Sequence, residues 1–403
     1  MKAIHGGVLA CVLSLLPWPK PAFAGADSVL AKVLHQFSRN DQQGFNPQGT
    51  LIRGTDGAFY GTTVYGGAHA DRVGTGHGTV FKINADGSGF AVLHSFRDAW
   101  NPASGVTEGK DGLLYGTTES GGNKLSGTVF KLAKEGKGIT YLHHFSGAAY
   151  EGKRPYGGIT LDSDGVCYGT TTEGGQYLQG TVFRINSDGS GYRVLYSFVG
   201  KQRVDGSTPR GTLLLASDGD LYGTTSGGGK YDQGTIFAIR RDGTKYRLIH
   251  TFAGQVTDGA TPFAGLIEGS DGRLYGTTVA GGGTLQGILF SVAKDGTGYK
   301  FLRSFTGLKE DGRNLYGRLL EGPDGLLYGA ALNGGPDGSG LIFRIARDGR
   351  DYTPVFFFSV KGPEGRWPHG GVVLGGDGTI YGATTAGAEG GQGTIFRLDK
   401  VSR

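Results

Sequence analysis

Three features of the sequence predict an all-β, seven-bladed β-propeller with four strands per blade: a tandem repeat of about 53 residues, seven copies of a Tyr-Gly marker, and a last repeat without its final strand. The marker stands at Tyr60, Tyr115, Tyr168, Tyr222, Tyr275, Tyr328 and Tyr381, at intervals of 55, 53, 54, 53, 53 and 53 residues. A second marker, the Phe of G-T-V-F or its variants, follows 15 residues after each Tyr, or 21 in the first copy, which therefore carries a six-residue insertion. Each repeat divides into four short apolar or alternating segments bounded by turn residues, the pattern of a four-stranded meander.

The turns have their own chemistry. Asp-Gly links the first two segments in all seven copies (Asp56, Asp111, Asp164, Asp218, Asp271, Asp324 and Asp377), and a tight hairpin there calls for positive φ angles. An acidic residue plus Gly links the third and fourth segments at Asp86, Glu135, Asp188, Asp242, Asp295 and Asp348. The seventh copy stops at that turn. Its missing strand is expected from residues 25–38, where Val33-Leu34-His35-Gln36-Phe37 matches Val92-Leu93-His94-Ser95-Phe96, so the two chain ends clasp one blade and close the ring.

The 80 glycines would suggest disorder in an aperiodic chain; at fixed offsets beside aromatic and β-branched residues they are turn elements of one propeller domain, residues 25–403. Residues 1–24, with an apolar run from Val8 to Leu16 and Ala22-Phe23-Ala24, read as a signal peptide cleaved before Gly25, so the mature chain is expected to be exported, to a periplasm or beyond the cell. Cleavage removes Cys11 and leaves Cys167 alone, at an apolar strand position, as a buried small hydrophobe with no disulfide partner. The net charge of +5 is spread without a Lys/Arg run, so no nucleic-acid partner is expected. No apolar stretch after the leader is long enough to span a bilayer. A monomer without cofactor or metal is expected; His69, Asp71 and His77 around the insertion match no strong ligand spacing.

The segment D-G-x-L-Y-G-T-T-x-x-G-G-x-x-x-x-G-T-V-F-K-I resembles the repeat of the GloVer tandem-repeat proteins of bacteria, over nearly the whole mature chain. The resemblance implies a propeller-type repeat fold and export, often with a C-terminal cell-surface anchor, although this chain ends at Arg403 straight after its last repeat. It implies no activity and supplies no catalytic residues to map.

A four-stranded blade places its first-to-second and third-to-fourth turns on one face and its other loops on the opposite one. The first face is uniform. The second has varied loops projected from a rigid frame, which is what a binding site needs. Its candidate ligand-binding residues are the flat groups Trp100, Tyr150, Tyr156, Phe263, Tyr316 and Trp367, suited to stacking on sugar rings, and Arg154, Arg210, Arg313, Arg318 and Arg366, suited to carboxylates or sulfates, together with His369. Pro precedes the marker Tyr by 13 residues in six copies, but the sixth copy has Leu315 and continues Tyr316-Gly317-Arg318. Arg318 replaces a small residue near the axis and is the leading single candidate. The acidic residues Glu151, Asp205, Asp258, Asp311 and Glu364, each followed by Gly, read as a repeated loop turn, and His35, His94, His143 and His250 as repeat architecture.

Two functions fit these residues. The first is an exported binding or interaction module that recognises a polysaccharide or a cell-surface protein on the varied face. The second is a lyase or hydrolase acting on an acidic glycan, with Arg318 neutralising a uronate and His369 or Tyr316 moving protons. The second requires Tyr316, Arg318 and His369, from adjacent repeats, to converge on one cleft.

Overall fold

The structure, a computed structural model, describes residues 29–39, 42–69 and 76–400; the expected signal peptide and Asp71 lie outside them. Seven four-stranded antiparallel sheets follow one another around a central axis. In blade 4 the order from the axis outward is Leu214–Leu215, Asp220–Thr225, Thr235–Arg240 and Arg247–Thr251. The last blade takes Val373–Leu374, Ile380–Thr384 and Thr394–Lys400 from the end of the chain and Val29–Gln36 from its beginning. Val33 pairs with Phe396 and Gln36 with Thr394, and Phe37 N–H donates to Gly393 O, so the ring closes by backbone hydrogen bonds.

The spacing of the two markers has a steric cause. The Gly of each Tyr-Gly pair lies opposite the marker Phe on the neighbouring strand, as Gly223 opposes Phe237 and Gly276 opposes Phe290. A methyl at Gly276 would sit 2.6 Å from Phe290 Cζ, so the Phe ring covers a position only Gly can leave open. The marker Tyr is buried, and its hydroxyl reaches the turn aspartate four residues earlier: Tyr60 to Asp56 at 2.6 Å, Tyr222 to Asp218 at 2.8 Å, Tyr328 to Asp324 at 2.6 Å. Blades 3 and 7 depart from this: Tyr168 donates to Asp162 at 3.0 Å rather than to Asp164, and Tyr381 makes no such bond to Asp377. In each Asp-Gly hairpin turn the Gly takes the positive φ, as Gly57 does at 83°, and the Asp does not; its carboxylate accepts the N–H two residues on, as Asp188 does from Ser190.

Stability resides between blades. Seven apolar clusters fill the seven junctions; one joins Tyr222, Ile236 and Phe252 of blade 4 to Leu266, Ile288 and Phe290 of blade 5, and another joins Phe37, Tyr381 and Ile395 of blade 7 to Phe59 and Phe81 of blade 1. Outer strands stack across the same junctions: His143 on Tyr192 at 3.8 Å, Tyr196 on Tyr246 at 4.0 Å, His250 on Tyr299 at 3.8 Å. Cys167 is a free, fully buried member of one cluster, and burial pushes its thiol up to about 12.

Candidate functional site

The residue before the Pro (or Leu315) that enters each inner strand is left-handed in all seven blades: Asn46, Asn101, Arg154, Thr208, Thr261, Asn314 and Trp367, with φ between 54° and 63°. Only three are Asn, which tolerates this region; for β-branched Thr208 and Thr261 it is strained. Two backbone bonds hold the conformation. Trp367 N–H donates to Ser339 O of the preceding blade, and Trp367 O accepts from Thr385 N of its own blade; Thr261 does the same with Gln233 and Val279. Each clamp aims the next residues at the axis.

From there the inner strand alternates with period two, so every second residue faces the channel. The outermost layer, on the loop face, is Gln48, Ala103, Tyr156, Arg210, Phe263, Tyr316 and His369, and it forms a plug. Phe263 meets Tyr156 edge-on at 5.3 Å and Tyr316 at 4.9 Å; Tyr316 lies flat on His369 at 4.9 Å. The Arg210 guanidinium sits over Tyr156 and Phe263 at 5.3 and 5.1 Å. Burial lowers the His369 imidazole to about 4, partly offset by its hydrogen bond with Gln48 O, and raises the Tyr156 hydroxyl to about 12.

The second layer is Thr50, Gly105, Gly158, Thr212, Gly265, Arg318 and Gly371. Inner strands touch backbone to backbone here, and a methyl at Gly49 would meet Gly105 N at 2.3 Å. Tyr316, Arg318 and His369 therefore do converge, and all three line one cavity, but its volume is about 70 Å³. That space holds water, not a sugar ring. A far larger cavity of about 1210 Å³ opens on the opposite, Asp-Gly hairpin face, with Arg318 and Thr50 common to both.

The remaining candidates lie on the rim of the loop face and do not join the plug. Trp100 packs on His77 at 5.3 Å. Tyr150 and Arg313 project into solvent. Arg154 is already occupied by Glu119 and by Glu173 at 3.1 Å. The Arg366 guanidinium covers the Trp367 ring at 4.5 Å, and its Nε is buried without a partner. The repeated loop acids are consumed locally: Asp258 accepts from His250, Tyr299 and the N–H groups of Ala253 and Gly259, and Asp205 accepts from the hydroxyls of Tyr196 and Tyr246. Among the described residues no cluster of His, Cys, Asp and Glu is arranged to hold a metal.

The Gloeobacter/Verrucomicrobia repeat matches the sequence over residues 25–216 and again over 208–402. The chain belongs to this GloVer repeat family. No curated protein matches its sequence. Among solved structures it is similar to the extracellular domain of a putative one component system from B. thetaiotaomicron, at 12% identity and a TM-score of 0.55, covering 92% of this chain and 42% of that one. It is also similar to a putative 6-phosphogluconolactonase from Bacteroides uniformis, at 16% identity and a TM-score of 0.51, covering 84% of this chain and 90% of that one. At such identities the likeness is one of fold.

Sequence reasoning missed two features of this GloVer repeat protein. The first is the third channel layer, where Ile52, Leu214, Ile267, Leu320 and Val373 give the large cavity an aliphatic wall; the period-two pattern running on from Arg318 to Leu320 carried that signal. The second lies at the tips of the second-to-third loops. The residue two before the Gly of G-T-V-F is left-handed in every blade: Gly76, Leu125, Leu178, Asp232, Leu285, Gly338 and Gly391. Three blades place Leu where three others have Gly.

Proposed function

We propose that this chain is an exported propeller whose loop face docks a protein surface. The observation that carries the reading is the trio Leu125, Leu178 and Leu285, which are 69%, 68% and 63% exposed at a backbone conformation that favours glycine. A branched side chain held in the left-handed region costs on the order of 1 kcal/mol, and exposing it to water returns nothing within the monomer. Such a residue is explained by a partner that covers it.

The trio is part of a wider pattern. Of fourteen exposed large apolar side chains among the described residues, eleven lie on the loop face, including Tyr150, Val256, Leu308 and Trp367; Leu30, Leu248 and Phe301 are on outermost strands. Aliphatic tips interspersed with Tyr, Trp and Arg are the composition of a protein interface, whereas a glycan site relies on flat rings and hydrogen-bonding groups. Exposed apolar side chains gathered on one face of a rigid frame support an interaction site there. Export rests on the leader sequence, and the similar propeller from B. thetaiotaomicron is itself part of an extracellular domain.

The test is to immobilise the chain beside two variants, Leu125→Ser/Leu178→Ser/Leu285→Ser on the loop face and Asp188→Asn on the hairpin face. Each is exposed to cell-envelope proteins and to neutral and acidic polysaccharides, following retention and chain shortening. The expected result is a protein retained by the parent and by Asp188→Asn and lost from the triple variant. Retention of a polysaccharide instead would replace the protein partner by a glycan. Shortening of an acidic glycan that stops on Arg318→Ala would make the chain an enzyme.

A further inference from the structure

The 1210 Å³ cavity on the hairpin face has one unsatisfied charge at its floor. Arg318 makes no hydrogen bond or ion pair with any described residue, and its Nε is buried without a partner. Its neighbours in the same layer, Gly265 and Gly371, carry no side chain that could pair with it, and the two other polar members are engaged: Thr50 Oγ1 accepts Gly371 N–H at 2.8 Å and Thr212 Oγ1 accepts Gly158 N–H at 2.9 Å. Burial depresses the Arg318 guanidinium from its ordinary value, yet an arginine stays charged at neutral pH.

The carboxylates at the mouth of this cavity are unavailable to it. Glu268 accepts the Ser217 N–H and hydroxyl at 2.7 and 2.6 Å and pairs with Lys294; Glu321 accepts the Ser270 N–H and hydroxyl at 2.7 and 2.8 Å beside Arg347. Arg53, exposed on the same wall, has no ion pair among the described residues. The cavity thus holds two unmatched cations and two carboxylates already neutralised. Between floor and mouth the wall is aliphatic: Ile52, Leu214, Ile267, Leu320 and Val373.

We infer that this channel binds an amphipathic organic anion, a carboxylate with an aliphatic or aromatic body, entering from the hairpin face with its head on Arg318 and its body against the aliphatic wall. A half-buried guanidinium whose Nε is buried without an acceptor carries a desolvation cost that an incoming carboxylate relieves through a charge-assisted, bidentate pair. The apolar body is held by burial against five aliphatic side chains. The volume is somewhat above the roughly 300–1,000 Å³ usual for small-molecule sites, so a ligand fills part of it, and the plug packs the far end, so the ligand is bound and not conducted. The site is separate from the loop face, and either proposal stands if the other fails.

Calorimetric titration of the full chain tests it, with octanoate, its neutral counterpart octanamide, and inorganic phosphate as probes. Octanoate is expected to bind one per chain and at least about tenfold more tightly than octanamide or phosphate. Arg318→Gly, the residue of the flanking blades, and Arg318→Thr, the residue of blades 1 and 4, should lose at least about tenfold in octanoate affinity and melt no lower than the parent, since each removes an unpaired buried charge. Equal binding of octanoate and octanamide, or octanoate affinity unchanged in Arg318→Gly, would overturn the inference. So would phosphate binding as tightly as octanoate, which would make the site one for bare anions, or a marked loss of stability in both variants, which would show that Arg318 is satisfied within the fold.

Discussion

Tyr316 and His369, from adjacent blades, lie with their rings 4.9 Å apart and 9° from parallel, and Phe263 abuts Tyr316 edge-on. A stacked, buried imidazole is neutral, and burial holds His369 at about 4. Its folded value lies below the unfolded value of about 6.5, so the unfolded chain binds more protons in between. The His369 contribution to stability is therefore complete above about pH 6.5 and falls by about 3 kcal/mol as the pH drops toward 4. Urea unfolding across this range should show a slope in the parent that becomes shallower in His369→Gln, the remainder coming from His94, His143, His144 and the depressed carboxylates, and NMR titration should find no His369 protonation near pH 6.

Thr225 and Thr235 share a buried hydrogen bond of 2.8 Å between adjacent strands of blade 4, repeated at Thr118–Thr128 and Thr171–Thr181. Blade 6 replaces both members together with Ala331 and Leu341, which pair at the same register. Removing one partner strands the other, whereas an apolar pair is nearly neutral. Thr225→Ala alone should cost about 1–3 kcal/mol, and Thr225→Ala/Thr235→Leu should recover most of it, as read from a double-mutant cycle in urea.

Thr261 is β-branched at φ 55°, where the equivalent residues of three other blades are Asn46, Asn101 and Asn314. Its clamp uses backbone atoms only, from Gln233 O and Val279 N. Thr261→Asn should therefore raise the unfolding free energy, by about 0.5–1 kcal/mol, with the blade otherwise unchanged. A decrease would mean that the Thr methyl contributes packing that outweighs the strain.

Phe37 ties the closing strand to blade 1: it is fully buried, 5.4 Å from Phe81 and 6.0 Å from Phe90. Phe37→Ala should cost about 3–5 kcal/mol, the same as a central core residue despite its place near the chain end. The equivalent Phe252→Ala inside blade 4 is the comparison, and a much smaller loss at Phe37 would mean that the ring tolerates opening.

The architecture was legible because it is written seven times: Tyr-Gly, the marker Phe and Asp-Gly each repeat a steric or hydrogen-bonding requirement, and the missing last strand matched residues near the N-terminus. The channel was legible in part. Sequence reading put Tyr156, Arg210, Phe263, Tyr316 and His369 on the varied face and Arg318 near the axis, but not their mutual packing, because whether rings from four blades fill or line a channel depends on its diameter. Tyr316, Arg318 and His369 thus converge on a packed plug with a cavity of about 70 Å³ rather than on a roomy cleft. The exposed leucines were hidden for another reason: Leu125, Leu178 and Leu285 sit among glycines, and only the left-handed backbone shows that they stand where Gly is easiest.

Hydroxyl-radical footprinting of the chain with the envelope protein it retains tests the loop-face assignment most directly. Protection is expected at Leu125, Leu178, Leu285, Tyr150 and Trp367, which are solvent-exposed in the free chain, with the Asp-Gly hairpins from Asp56 to Asp377 unchanged. Protection confined to those hairpins, with the leucines still labelled, would contradict it and move the docking surface to the opposite face.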